Sequence, residues 1–337
     1  MRHASLLLLL ILSSGAVTAS DSAKYDVRNL PLPGGGEAGV GMDYIAFDPA
    51  TGFVWVPAGN TGAVDVIDTR DQSMKQIAGF PTMEMTNGQR KRTVGPSSAT
   101  IGNGWVYVGN RGDSTVCAIN SKTLARGACG HLDAMPDGVA YVASTKEVWV
   151  TTPRDNSIRV LDAATLKQKA KLTFEGGPEG FAVDAKRHRF YTNLEDKDRT
   201  LAIDLKTHKI TKNWPSTCGE EGPRGLSMDE KDGFLFVACT NRAEVLDVAH
   251  DGAVLSSVDT GAGVDDLGWS ASSRKLYIAA GQAAQLTVAT VDAKGHMQTA
   301  AQVAIPKGTR NGIVARGDAV YAPHSAGSEI VLVTAGK

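Results

Sequence analysis

This chain lacks the short signatures that mark the common catalytic and cofactor centres. It has no His-Glu-x-x-His zinc pair, no Cys-x-x-Cys-His haem attachment and no pair of Cys-x-x-Cys motifs. Ser98 and Ser227 do not sit in a Gly-x-Ser-x-Gly elbow, so nucleophilic catalysis by serine has no support. Only 7 histidines occur, and they are scattered. The formal net charge is −1, and charged residues are spread evenly, which leaves no basic field to hold nucleic acid. Beyond the N-terminal run, no stretch is apolar enough to be a transmembrane helix. Helical periodicity is also scarce, while 37 glycines point to many strands and tight turns.

The N-terminal residues read as a secretory signal. Arg2 and His3 supply a basic start, and the apolar run 6–12 is shorter than the about 20 residues a bilayer requires. Val17-Thr18-Ala19 offers small residues for cleavage before Ser20. An uncleaved anchor is the competing reading. No cysteine stands at the cleavage site, so a lipid anchor is not expected. The sequence therefore predicts a signal peptide over 1–19 and a single domain over 20–337, periplasmic or secreted.

Aromatic residues make up only 6 % of the chain, so an aromatic that recurs is informative. Val54-Trp55-Val56, Val106-Tyr107-Val108, Val148-Trp149-Val150, Phe190-Tyr191-Thr192, Leu235-Phe236-Val237, Leu276-Tyr277-Ile278 and Val320-Tyr321-Ala322 form seven copies of one short strand. Their spacing is 41 to 45 residues, with one interval of 52. Several strands per copy at this period indicate a propeller blade. Each copy runs from a Pro/Gly-rich start through a first strand, the aromatic strand, a polar loop, a third strand and a more polar fourth. Asp and Thr recur at the turn between the last two, as in Asp162-Ala163-Ala164-Thr165, where their side chains can bond nearby backbone. The final copy runs out after its third strand. Segment 24–30 is expected to supply the missing strand and remove an exposed edge. The fold class predicted is all-β, a seven-bladed β-propeller of four-stranded antiparallel blades, closed by an N-terminal strand. Two β-sandwiches are the alternative that the regular spacing disfavours.

These features resemble the YVTN-repeat seven-bladed propellers of exported bacterial proteins. Val54-Trp55-Val56-Pro57-Ala58-Gly59-Asn60 with Val66-Ile67-Asp68-Thr69 carries the resemblance, as do Val106-Tyr107-Val108-Gly109-Asn110 and the segment from Gly177 to Asp184. It covers nearly the whole mature chain and speaks to fold more than function. Look-alikes include binding proteins, surface proteins, parts of enzymes and, more distantly, the gluconolactonase group of metal-dependent hydrolases.

Four cysteines in an exported chain favour disulfides over free thiols. The first and second strands of a blade are antiparallel neighbours, so Cys218 before one should lie beside Cys239 at the end of the other. By the same logic Cys117 and Cys129 face each other across a turn. Cys117–Cys129 and Cys218–Cys239 are the pairings expected.

Aligning the copies places one residue per blade at the channel neck: Asp43, Ser97, Asp137, Glu179, Arg224, Asp265 and Asn311. Arg224 is the only base in this set, and it is expected to bridge Glu179 and Asp265. Loops on the same face add Asn60, Asn110, Arg111, Asp113, Arg154, Asp155, Asn193, Glu195, Asn241, Arg242, Gln282 and His324, a polar funnel. The longer loop 79–95, with its basic run Arg90-Lys91-Arg92, reads as a lid, a partner contact or a disordered insertion.

Two main functions follow, beside a third in which the propeller works with a redox or envelope partner through the loop 79–95. One is a ligand-binding or protein-interaction scaffold using Asp43, Asp137, Glu179, Arg224, Asp265, Asn311 and His324 at the mouth. The other is a hydrolase holding Ca2+ or another divalent cation on Glu179, Asp265 and Asn311, residue types the gluconolactonase resemblance implies. Asp137 or Asp43 would then be the base. The positive charge of Arg224 opposes a divalent ion beside it and favours the scaffold, with no catalytic residue or cofactor assigned. The partner would be an unknown protein or small molecule, with no nucleic acid, and a monomer is expected.

Overall fold

A computed structural model describes residues 25–336 except 89, 220 and 221. The signal-peptide expectation for 1–19 lies outside the described residues. Seven four-stranded antiparallel sheets form the blades of a propeller. Blade one comprises β2 (Ala46–Asp48), β3 (Phe53–Ala58), β4 (Ala63–Asp68) and β5 (Met74–Ala78). Blade two is β8 (Pro96–Gly102), β9 (Trp105–Asn110), β10 (Thr115–Asn120) and β11 (Arg126–His131). Blade three is β12 (Val139–Val142), β13 (Glu147–Thr152), β14 (Ser157–Asp162) and β15 (Gln168–Thr173). Blade four is β16 (Pro178–Asp184), β17 (Arg189–Leu194), β18 (Arg199–Asp204) and β19 (Ile210–Pro215). Blade five is β20 (Pro223–Asp229), β21 (Phe234–Cys239), β22 (Arg242–Asp247) and β23 (Ala253–Asp259). Blade six is β24 (Val264–Ser270), β25 (Lys275–Ala280), β26 (Gln285–Val291) and β27 (Met297–Ala304).

Blade seven combines β28 (Ile313–Val314), β29 (Val320–His324) and β30 (Glu329–Ala335) with β1 (Tyr25–Pro31). The register between β1 and β30 runs from Tyr25 opposite Ala335 to Pro31 opposite Glu329. The N-terminal strand thus closes the ring. Between blades one and two, within 79–95, β6 (Met83–Asn87) and β7 (Arg90–Val94) pair as a two-stranded hairpin.

The recurring aromatic sits mid-strand in the second strand of every blade. Trp55, Tyr107, Trp149, Tyr191, Phe236, Tyr277 and Tyr321 are all buried. There is one apolar cluster for each interface between neighbouring blades, including the closing one between blades seven and one. The core is therefore a ring of seven dry seams, and burial of large side chains is its main driving force.

The turns after the third strands of blades two, three and four share one pattern. The Asp162 carboxylate accepts from the Thr165 amide at 2.9 Å and its hydroxyl at 2.8 Å, and Asp204 and Asn120 hold Thr207 and Thr123 alike. The next residues, Leu166, His208 and Leu124, take φ near +60° to complete the turn. Both expected disulfides are formed. Cys117 and Cys129 are direct cross-strand partners with Cα atoms 4.0 Å apart, and Cys218–Cys239 ties the entry of β20 to the end of β21 at 5.1 Å.

Candidate functional site

The first strands of blades two, four, five and six each carry a β-bulge at the neck. The register slips between Pro96 and Ser98, Pro178 and Phe181, Pro223 and Leu226, and Val264 and Leu267. A bulge re-aims side chains next to a site. Here it covers the positions of Ser97, Glu179, Arg224 and Asp265. The residue after each neck position is crowded. A Cβ at Gly180 would strike the Arg224 carbonyl, and one at Gly225 would strike Asp266, so close approach requires glycine in both places.

The resulting mouth is a cavity of about 490 Å³. Asp43, Asp137, Glu179, Arg224 and Asp265 all lie on its wall. Arg111 and Glu195 join them from the loops after β9 and β17, with Arg154 from the loop after β13, Arg92 from β7 and Arg310 from just before β28. Five arginines thus face five carboxylates. Asn311 is buried behind this wall, where its Nδ2 donates to Asp43 at 3.0 Å. His324 does not line the cavity: its Nδ1 pairs with Glu329 at 2.8 Å. Arg154 and Glu195 stand on short 3-10 turns closed by Asn156 and Asp198 in the left-handed region, which fixes their direction.

The pairing differs from the expectation that Arg224 bridges Glu179 and Asp265. Arg224 donates to Glu195 at 2.7 Å, and Asp265 takes its partner from Arg310 at 2.8 Å. Arg111 bridges Asp43, at 2.8 Å, and Asp137. Arg224 is therefore not the only base at the neck. Arg111 was expected in the funnel, but not as the partner of two neck carboxylates, and Arg310 was missed because it sits one residue before the slot at Asn311. The nearest signal for Arg310 was that it flanks a slot.

Electrostatics follow from crowding. Burial opposes the charge of Arg111, yet Asp137 and Asp43 hold its pKa well above the usual guanidinium range. Burial pushes Asp137 up despite Arg111, with Asp43 and Glu179 adding to the rise. Burial and the adjacent Glu179 likewise hold Glu195 far above the usual carboxylate range, against the pull of Arg224. Below them Asp266 faces the lumen beside Tyr44. Burial pushes its carboxyl up to about 8, with Asp265 and Asp43 contributing, although the Leu267 amide donates to it.

The fit to a divalent cation can be read from the donors. Among the described residues, the one group of three acidic, histidine or cysteine donors within 4.8 Å is Cys218, Cys239 and Glu244, and both sulfurs are spent on the disulfide. Glu179 and Asp265 do not converge with a third acid, and Asp265 is engaged by Arg310. Asn311, the third residue expected to hold the ion, spends Nδ2 on Asp43 and keeps a buried Oδ1 without a partner among the described residues, and no step through a metal is derived.

Fold and site together define a seven-bladed propeller with a charged, arginine-rich mouth. Solved structures with this architecture include a mitotic checkpoint complex chain (TM-score 0.74, 12 % identity, covering 98 % of this chain and 98 % of that one). A streptogramin B lyase matches with TM-score 0.71 and 13 % identity over 94 % of this chain and 100 % of its own. A virginiamycin B lyase from Staphylococcus aureus gives TM-score 0.71 and 13 % identity over 92 % and 99 %. At such identity the likeness extends to the fold alone. No protein-family profile matches the chain, and no curated protein matches it in sequence.

Proposed function

We propose that this is an exported propeller that binds a ligand or partner through the mouth of its channel. The observation that carries this reading is the mouth itself. It concentrates ten charged side chains around one cavity, three of them on bulged first strands and two on closed 3-10 turns. Preorganised polar groups in a concave site fix the orientation of a bound molecule. Export is supported by the leader-like N-terminus and two disulfides, and no described helix is long and apolar enough to cross a membrane.

A thermal-shift screen of polar small molecules, followed by hydrogen-exchange mapping of each hit, tests the reading. Binders should protect the turns at Arg154 and Glu195. Hits that protect only other surfaces would overturn it. So would calcium-dependent stabilisation that is lost in Asp265→Ala together with turnover of a lactone panel, which would establish the hydrolase instead.

A further inference from the structure

Two cavities meet on the mouth face. Beside the neck lies a second of about 470 Å³, beneath the β6–β7 hairpin, and Arg92, Arg111 and Arg310 line both. These three side chains stand at the junction with donors to spare. Arg111 makes its bonds to both Asp43 and Asp137 through Nη2, which leaves Nε and Nη1 without an acceptor among the described residues. Arg310 reaches Asp265 through Nη1 alone. Arg92 has no carboxylate within 4.0 Å among the described residues.

The charge balance of the two cavities differs. In the neck, carboxylates match arginines. Under the hairpin, Asp43 is the single carboxylate against Lys91, Arg92, Arg111 and Arg310, and Asp43 is already shared by Arg111 and Asn311. A second feature points the same way. Ser97 belongs to this wall, is 5 % exposed, and its Oγ has no hydrogen-bond partner among the described residues. A buried hydroxyl left unpaired is costly unless something completes it. Guanidinium forks match the paired oxygens of carboxylate, phosphate and sulfate.

Resting on the mouth-face reading above, we propose that the cavity beneath the β6–β7 hairpin receives the oxyanion group of a small molecule, held by Arg92, Arg111 and Arg310, with Ser97 as a neutral donor. The balanced neck takes the rest of that molecule, a polar portion without strong net charge. The excess positive charge draws the anion in, and the spare guanidinium donors fix its plane.

Isothermal titration of the full exported chain at constant ionic strength tests this with inorganic phosphate, sulfate and succinate, beside a neutral sugar and a diamine. Saturable binding of an oxyanion is expected, and phosphate against succinate tells which chemistry is preferred. Arg92→Ala and Arg310→Gln should each weaken it about tenfold, the loss of one charge-assisted bond. Arg92→Ala removes an exposed side chain, so the melting temperature without ligand reports whether the fold is intact. Oxyanion affinity unchanged in both variants overturns the proposal. If the sugar or diamine binds the neck while no oxyanion binds, the anion assignment falls and the mouth-face reading stands. If no probe of any class binds the mouth, both fall.

Discussion

The two ends of the channel are built from the same seven strands yet differ in chemistry. The mouth end is a cavity of about 490 Å³ walled by arginines and carboxylates. The opposite end opens into about 690 Å³ lined largely by apolar and aromatic side chains, among them Ile45, Phe47, Ile101, Val139, Tyr141 and Leu226. Tyr44 lines both, with Phe181 at a centroid distance of 5.6 Å, and marks the boundary. The bulges fall on the mouth side only of the first strands. Where the pleat is regular, alternation keeps apolar residues inward. Where a bulge adds a residue, polar side chains are turned to the lumen. Strand register thus sets part of the mouth's polarity, that of Glu179, Arg224 and Asp265, while loops and short turns bring Arg111, Arg154, Glu195 and Arg310.

The sharpest way to break this contrast is to remove the base that the mouth depends on. Arg111→Ala leaves Asp43 and Asp137 crowded together without their shared partner. Stability in urea should fall by about 3 kcal/mol, as when a buried pair loses one member. Adding Asp43→Asn and Asp137→Asn should recover part of that loss. Gly225→Ala attacks the bulge itself. Its new Cβ would meet the backbone and carboxyl of Asp266, and a loss of about 2 kcal/mol is expected by the same measurement.

The acid at the boundary gives a pH signature. The folded chain keeps a proton on Asp266 up to about pH 8, whereas an unfolded chain releases it near 3.8. The folded state therefore holds more protons across that window, and this group's contribution to stability falls as pH rises through it. Melting temperatures between pH 4 and about 8 should decline less steeply in Asp266→Asn, because the amide cannot ionise. The slope will not vanish, since Asp137 and Glu195 are shifted in the same direction. At the apolar end, Lys122→Ala should change stability by no more than about 0.5 kcal/mol, as for an exposed side chain without a buried partner.

The architecture was legible in the sequence because each blade repeats a local rule. The Val-Trp-Val type of strand, the Asp-x-x-Thr turn and the cysteine positions all depend on neighbours within one blade. The strand over Tyr25–Pro31 was legible for a different reason, since the last copy lacked a fourth strand. The site was legible only in outline. Asp43, Asp137, Glu179, Arg224 and Asp265 occupy the mouth wall, but the ion-pair partners of Asp43, Asp137, Arg224 and Asp265 are set across blades. Arg224 turned to Glu195, and Arg310 took Asp265. Asp266 was missed because one neck residue per blade was assumed, while a bulge lets consecutive residues share the lumen. The hairpin over 79–95 could not be told from a lid or a loose insertion, since its short strands carry few apolar residues.

The clasp between β1 and β30 joins residues about as far apart as the chain allows: Asn29 donates to Glu329 across 300 positions. Six blades can zip locally while the chain is being made, but the seventh has to wait for both ends. Pairings of such long range carry a large loop-closure entropy and slow the final step. A nascent chain is therefore an open arc with bare edges, and the circle shuts only after the last strand has left the ribosome. Until β1 pairs with β30, each leaves an edge where another open arc could add on, so the closing strand protects the young molecule from its own kind as much as it stabilises the mature one.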